Sequence, residues 1–171
     1  MVSQVRLKHK NASNQGNLHR EASMNAAKFT EYGLVPVARV RIVDQNLIID
    51  ITDQKTVELE MCIYAFLVEG KVYRIGSSKA PLENRLKDYK RDITNALNGR
   101  KSPAPPEEAE KWKKILPAGR SGVIYARQGW SVTTPIKTFP AYMDEESLLI
   151  EELFKDGDLT PDEILNRNKH R

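Results

Sequence analysis

An apolar run of strand formers, Met61 to Val68, is followed at once by Glu69-Gly70 and a second extended segment, Lys71 to Gly76. So short a link with Gly in it predicts a tight antiparallel hairpin, since Gly tolerates the left-handed backbone such turns need. Side chains alternate along a strand. Tyr64 and Phe66 therefore share one face and Ile63 and Ala65 the other, while Val72, Arg74 and Gly76 oppose Tyr73 and Ile75. Pairing through the turn would set Tyr64 beside Arg74.

Leu82, Leu86, Tyr89, Ile93 and Leu97 then step at helical spacing, a single apolar stripe. Ser77 or Ser78 can cap this helix, Pro81 suits its first turn, and Gly99 is its stop signal. Arg85 and Tyr89 lie one above the other at i,i+4 on the side that faces the hairpin. A final amphipathic helix starts at Asp144 and is built on Leu148, Leu149, Ile150, Leu153 and Phe154, with Gly157 ending it. Its carboxylates include Glu145, Glu146, Glu151 and Glu152.

The flanking segments read more weakly. Residues 1–17 are a polar arm in which Lys8, His9 and Lys10 stand together, and Leu18 to Tyr32 favours helix up to Gly33. Val35 to Val43 and Leu47 to Thr52 alternate as a hairpin joined by Asp44-Gln45-Asn46, and Thr56 to Glu60 continues extended. Arg100 to Gly122 looks inserted, with Pro103, Pro105 and Pro106 before a short helix at Glu107 to Leu116. Ser121 to Gln128 reads as a strand for the hairpin, and Gly129 to Tyr142 as loop or irregular strand. The expected organisation is an arm, helix and hairpin over 1–60, a core over 61–156 with an insertion at about 100–120, and a polar tail over 157–171.

Composition narrows the function. One cysteine, Cys62, cannot form an internal disulfide and suits a reducing cytoplasm; set in a strand, it is a poor nucleophile. No apolar run reaches the roughly 20 residues of a membrane span, and His9, His19 and His170 lack metal-ligand spacing. The chain's formal charge of +4 is concentrated in residues 61–100, which carry 8 Lys/Arg against 4 Asp/Glu. A positive field over the hairpin and its helix suits a polyanion. Trp112, Trp130 and Tyr142 could stack on bases, although core packing accounts for each of them as well.

The residues themselves suit phosphodiester hydrolysis. That reaction needs an activated water, neutralisation of charge on phosphorus-bound oxygens, and stabilisation of the leaving group. Tyr64 can accept the water's proton, with Tyr89 orienting the water or sharing the base role. A free tyrosine ionises near pH 10, so the base role requires neighbouring cations. Arg74 and Arg85 supply them and can donate to the phosphate. A carboxylate on the last helix can hold a divalent cation.

The order Ile63-Tyr64, Arg74-Ile75-Gly76, Arg85, Tyr89 and Glu146-Ser147-Leu148-Leu149-Ile150-Glu151 resembles the GIY-YIG nuclease superfamily over about a third of the chain. The hexapeptide is similar to the family's Glu-Ala-x-x-Leu-Glu signature, a register that points to Glu151 as ligand of Mg²⁺ or Mn²⁺. On a helical wheel Glu151 borders the apolar face, while Glu146 lies at its centre and Glu152 is adjacent. Cys62 replaces the family's first Gly, Arg74 stands where its second Tyr is usual, and Ser77 where repair members carry Lys. A basic residue at Arg74's position and the compact length resemble the small type II restriction endonucleases of that superfamily.

The resemblance implies an α+β fold with a small central antiparallel sheet of about three strands flanked by helices. It further implies a metal-dependent endonuclease leaving 5′-phosphate and 3′-hydroxyl ends on double-stranded DNA, acting as a homodimer without a membrane. A phage, mobile-element or repair nuclease of the same type, or a DNA-binding protein without catalysis, are the alternatives.

Overall fold

Strand β3 (Cys62–Val68) is buried at all seven positions, and the rest of the molecule is arranged around it. The computed structural model describes residues 26–155 and Leu165. β3 pairs antiparallel with β4 (Lys71–Ser78) on one side and with β5 (Gly122–Gln128) on the other. β5 in turn pairs with β1 (Val35–Val43), which forms a hairpin with β2 (Asn46–Ile51). The sheet thus has five strands in the order β2-β1-β5-β3-β4, two more than the sequence implied, and it is α+β as expected. The difference comes from the N-terminal hairpin, which is part of the sheet and not an appendage: Val37, Val40 and Leu47 are fully buried in the core.

Both hairpin turns have two residues. Asp44 and Gln45 adopt φ of 47° and 60°, and Glu69 and Gly70 adopt 51° and 78°. Two successive left-handed residues give the turn whose twist matches that of paired strands. Thr56 to Glu60, expected to be extended, instead holds the short helix α1 (Gln54–Val57), because the Asp53 carboxylate accepts from the Thr56 amide and hydroxyl.

The two faces are covered separately. On one lie α2 (Leu82–Leu97) and α3 (Pro106–Ile115), whose Leu82, Leu86, Tyr89, Ile93 and Trp112 pack on Tyr64, Phe66 and Ile124. Trp112 stacks on Phe66 with ring centroids 4.9 Å apart, so the insertion contributes to the core. On the other face, helical residues 26–31 and α4 (Tyr142–Lys155) set Phe29, Tyr142, Leu149, Ile150 and Leu153 against Ile63, Ala65 and Ile75. The arm at 1–17, the start of the helix expected from Leu18, and the tail over 157–171 other than Leu165 lie outside the described residues. No described helix is long and apolar enough to cross a membrane.

Three local expectations differ from what is observed. Ser77 and Ser78 belong to β4 and do not cap α2; Pro81 is its N-cap residue. Helix α4 begins at Tyr142, two residues before Asp144. A register shift between Phe66 and Leu67 pairs Phe66 with Arg74 but Leu67 with Val72, leaving Tyr73 as the extra residue. Val72 therefore packs on the α4 face, whereas Arg74 and Gly76 stay on the face of Tyr64.

Because β1 supplies one of the two partners of β5, a chain shortened to residues 61–171 is expected to lose cooperative thermal unfolding. A sharp transition in the shortened chain, followed by circular dichroism, would show that the first hairpin is dispensable.

Candidate active site

The phenols of Tyr64 on β3 and Tyr89 on α2 hydrogen-bond to each other in the core between sheet and helix. The sequence places them there for two reasons. The period of β3 points Tyr64 toward α2, and Tyr89 belongs to the buried stripe of that helix. Tyr64 is directly opposite Gly76. A Cβ at Gly76 would come 2.4 Å from both Cζ and Oη of Tyr64, so glycine is required here for space and not for backbone freedom.

Cations bracket the pair. The Arg74 Cζ lies 4.6 Å from the centre of the Tyr89 ring, and that of Arg85 lies 5.9 Å away. The two arginines differ in what else they do. Arg74 is largely buried, donates to the Leu165 carbonyl at 3.1 Å, pairs with Glu108 at 3.5 Å and reaches the Tyr64 hydroxyl. Burial opposes its charge, but Tyr89, Tyr64 and Glu108 more than offset this and hold the guanidinium charged. Arg85 is exposed. Its candidate partners on the helix, Asp88 and Asp92, are taken by Arg91 at 3.1 and 2.8 Å. Arg85 is thus the cation of the two able to meet a ligand from solvent.

Burial pushes the Tyr89 phenol well above the usual tyrosine range, and Tyr64 adds to this; Arg74 and Arg85 offset it in part. Tyr89 consequently keeps its proton. The two hydroxyls are each other's partners, in residues only 3% and 6% exposed, and either can be the donor.

The carboxylate singled out by sequence does not join this group. Glu151 is on the exposed side of α4, its side chain 61% accessible and bridged to Lys155 at 3.0 Å, and Glu152 binds the same lysine. Glu146, one turn and a residue earlier, is half-buried and accepts a hydrogen bond from the Ser77 hydroxyl on β4. Ser77 follows Gly76 and so faces the side opposite Tyr64. β4 is the edge of the sheet, and the phenols and the Glu146 carboxylate flank that edge from its two faces. Among the described residues no three His, Cys, Asp or Glu side chains gather as a metal cluster. One carboxylate with the Ser77 hydroxyl beside it would suit only a hard divalent cation that keeps most of its ligands as water or phosphate.

Two partners carried no sequence signal. Glu108 lies in the insertion, 34 residues from Arg74. Glu145 is buried, pairs with Arg127 of β5 at 2.7 Å, and accepts from the Trp130 amide at 2.9 Å. Cys62 is fully buried, and burial pushes its thiol up to about 11, in keeping with an inert role. On the outer side of α2, Lys87, Lys90 and Arg91 line a groove of about 400 Å³ against Asn46 to Ile48 of the first hairpin.

A bacteriophage T4 EndoII mutant superposes with a TM-score of 0.51 at 22% identity, covering 76% of this chain and 94% of that one. The fold is like that of the EndoII structure. Restriction endonuclease HPY188I in complex with product DNA aligns with a TM-score of 0.46 at 20% identity, over 78% of this chain and 80% of that one. No family model matches the sequence, and no curated protein is detectably similar to it.

Since the Gly76 position is filled by the Tyr64 ring, Gly76→Ala is expected to cost about 1–3 kcal/mol from overpacking. The cost should largely vanish in a Tyr64→Ala background, giving a coupling measurable by urea denaturation. Equal costs in both backgrounds would refute the close approach.

Proposed function

We propose that this chain is an endonuclease of the GIY-YIG type that hydrolyses phosphodiester bonds of double-stranded DNA to 5′-phosphate and 3′-hydroxyl ends. The observation that carries the reading is the Tyr64–Tyr89 hydrogen bond bracketed by Arg74 and Arg85. The endonuclease-like fold supports it.

In this reading Tyr64 takes the proton of the attacking water. Tyr89, held protonated by burial, fixes the orientation of the Tyr64 oxygen. Arg74, anchored by Glu108 and the Leu165 carbonyl, supplies fixed positive charge behind the phenols. The exposed Arg85 grips the scissile phosphate. Glu146, in place of Glu151, is the carboxylate assigned to a divalent cation, Mg²⁺ or Mn²⁺, which when bound would offset phosphate charge and ease departure of the 3′ oxygen. Lys87 and Lys90, along the same helix as Arg85, would follow the phosphate backbone.

A restriction-type role is favoured over mobile-element or repair roles because the segments outside the resemblance are built into the core. The first hairpin extends the sheet and Trp112 of the insertion stacks on Phe66, so both belong to the same folded unit as the tyrosine pair. Cutting both strands of a symmetric site would call for a homodimer.

The expected outcome is Mg²⁺-dependent cleavage of duplex DNA, reduced at least about a hundredfold by Tyr64→Phe, Arg85→Ala or Glu146→Ala. Glu151→Ala should stay near the parent rate. Full activity in Tyr64→Phe, measured on diverse genomic DNA, would end the tyrosine-base mechanism.

A further inference from the structure

Between Glu110 and Asp144 the sequence contains no acidic residue and six basic ones. At the end of this stretch, β6 (Ser131–Thr133) and β7 (Thr138–Pro140) form a two-stranded ribbon outside the main sheet. Ile136 at its tip is 92% exposed, with Lys137 beside it and Val132 and Trp130 partly exposed below.

The ribbon is rigid despite its exposure. The Thr134 amide donates to the Lys137 carbonyl at 2.9 Å, and the Thr134 hydroxyl accepts from the amides of Ile136 and Lys137 at 3.3 and 3.2 Å. Pro135 fixes one backbone torsion in the turn. Thr133 and Thr138 hydroxyls bond across the strands at 2.9 Å. At the base, the Arg127 guanidinium lies 4.2 Å from the Trp130 ring centre, and Glu145 holds both Arg127 and the Trp130 amide. These contacts seat the base of the ribbon on α4. The next residue on that helix is Glu146.

Ordering a turn around a β-branched apolar side chain and leaving it in water serves no folding purpose. We infer that the ribbon is a DNA-reading element whose tip, Pro135-Ile136, wedges into a base step while Lys137 meets the adjoining phosphate. Strand readers can occupy either groove of the duplex, and apolar side chains inserted from the minor groove partly unstack and kink it. The ribbon's own residues, 131–140, carry Lys137 at the tip and no carboxylate, which favours a polyanion over a basic partner. Through the neighbouring residues Glu145 and Glu146, the anchor ties the wedge's position to the carboxylate at the sheet edge. This inference rests on the DNA-cleaving reading above.

The test is unwinding of a relaxed plasmid by the full chain, with topoisomerase I present and divalent cations chelated so that nothing is cut. The parent chain should lower the linking number as it binds. Ile136→Ala and Ile136→Asn should abolish that shift and weaken plasmid binding about tenfold, while Ile136→Phe retains it. Thermal unfolding of the three variants should match the parent, since the side chain is exposed. If the parent cleaves plasmid with Mg²⁺ yet leaves the linking number unchanged, the wedge is refuted and the nuclease reading stands. If it neither binds nor cuts, both fall. If Ile136→Asn unwinds normally but halves the mass seen by light scattering, the tip belongs to a contact between copies and the inference is overturned.

Discussion

The molecule depends on how closely β4 approaches the side chains of β3. With Gly76 opposite Tyr64, the phenol ring occupies the space that a side chain would take, and its oxygen arrives at Tyr89. The alternation of β3 and the buried stripe of α2 aim the two hydroxyls at each other, and Gly76 leaves the room for them to meet. Once the pair forms, burial pushes the Tyr89 phenol well above the usual tyrosine range and keeps its proton in place. Arg74, two residues before Gly76, is on the same face and completes the setting.

How much of this was readable in sequence follows from how local each cause is. The β3–β4 hairpin, its Glu69-Gly70 turn and the Arg85/Tyr89 helix rest on neighbours within a few residues, and periodicity exposes them. The partnership of β1 with β5 joins residues more than 80 positions apart, such as Val35 and Ala126, and alternation along each strand says nothing about which strands meet. The extra residue at Tyr73 reversed the expected face of Val72 while leaving Arg74 in place. Such a bulge has no marker in the residues around it.

The acidic helix shows the limit of a signature read by register. Glu151 and Glu146 are about 140° apart on a helical wheel, and a wheel does not reveal what the helix packs against. α4 starts at Tyr142, which is buried against Gly129, and runs so that Leu149, Ile150 and Leu153 meet the sheet. That rotation turns Glu151 outward to Lys155 and Glu146 inward to Ser77. The helix thus presents successive carboxylates to different tasks: Glu145 braces Arg127 and the ribbon, and Glu146 faces the sheet edge.

The most direct test of the central claim, that the sheet edge beside the tyrosine pair holds a catalytic cation on Glu146, is electron paramagnetic resonance of Mn²⁺ titrated into the chain with duplex DNA. The account expects bound Mn²⁺ in the parent chain and in Glu151→Gln, and its loss in Glu146→Gln. Retention of the bound signal in Glu146→Gln together with its loss in Glu151→Gln would contradict the account.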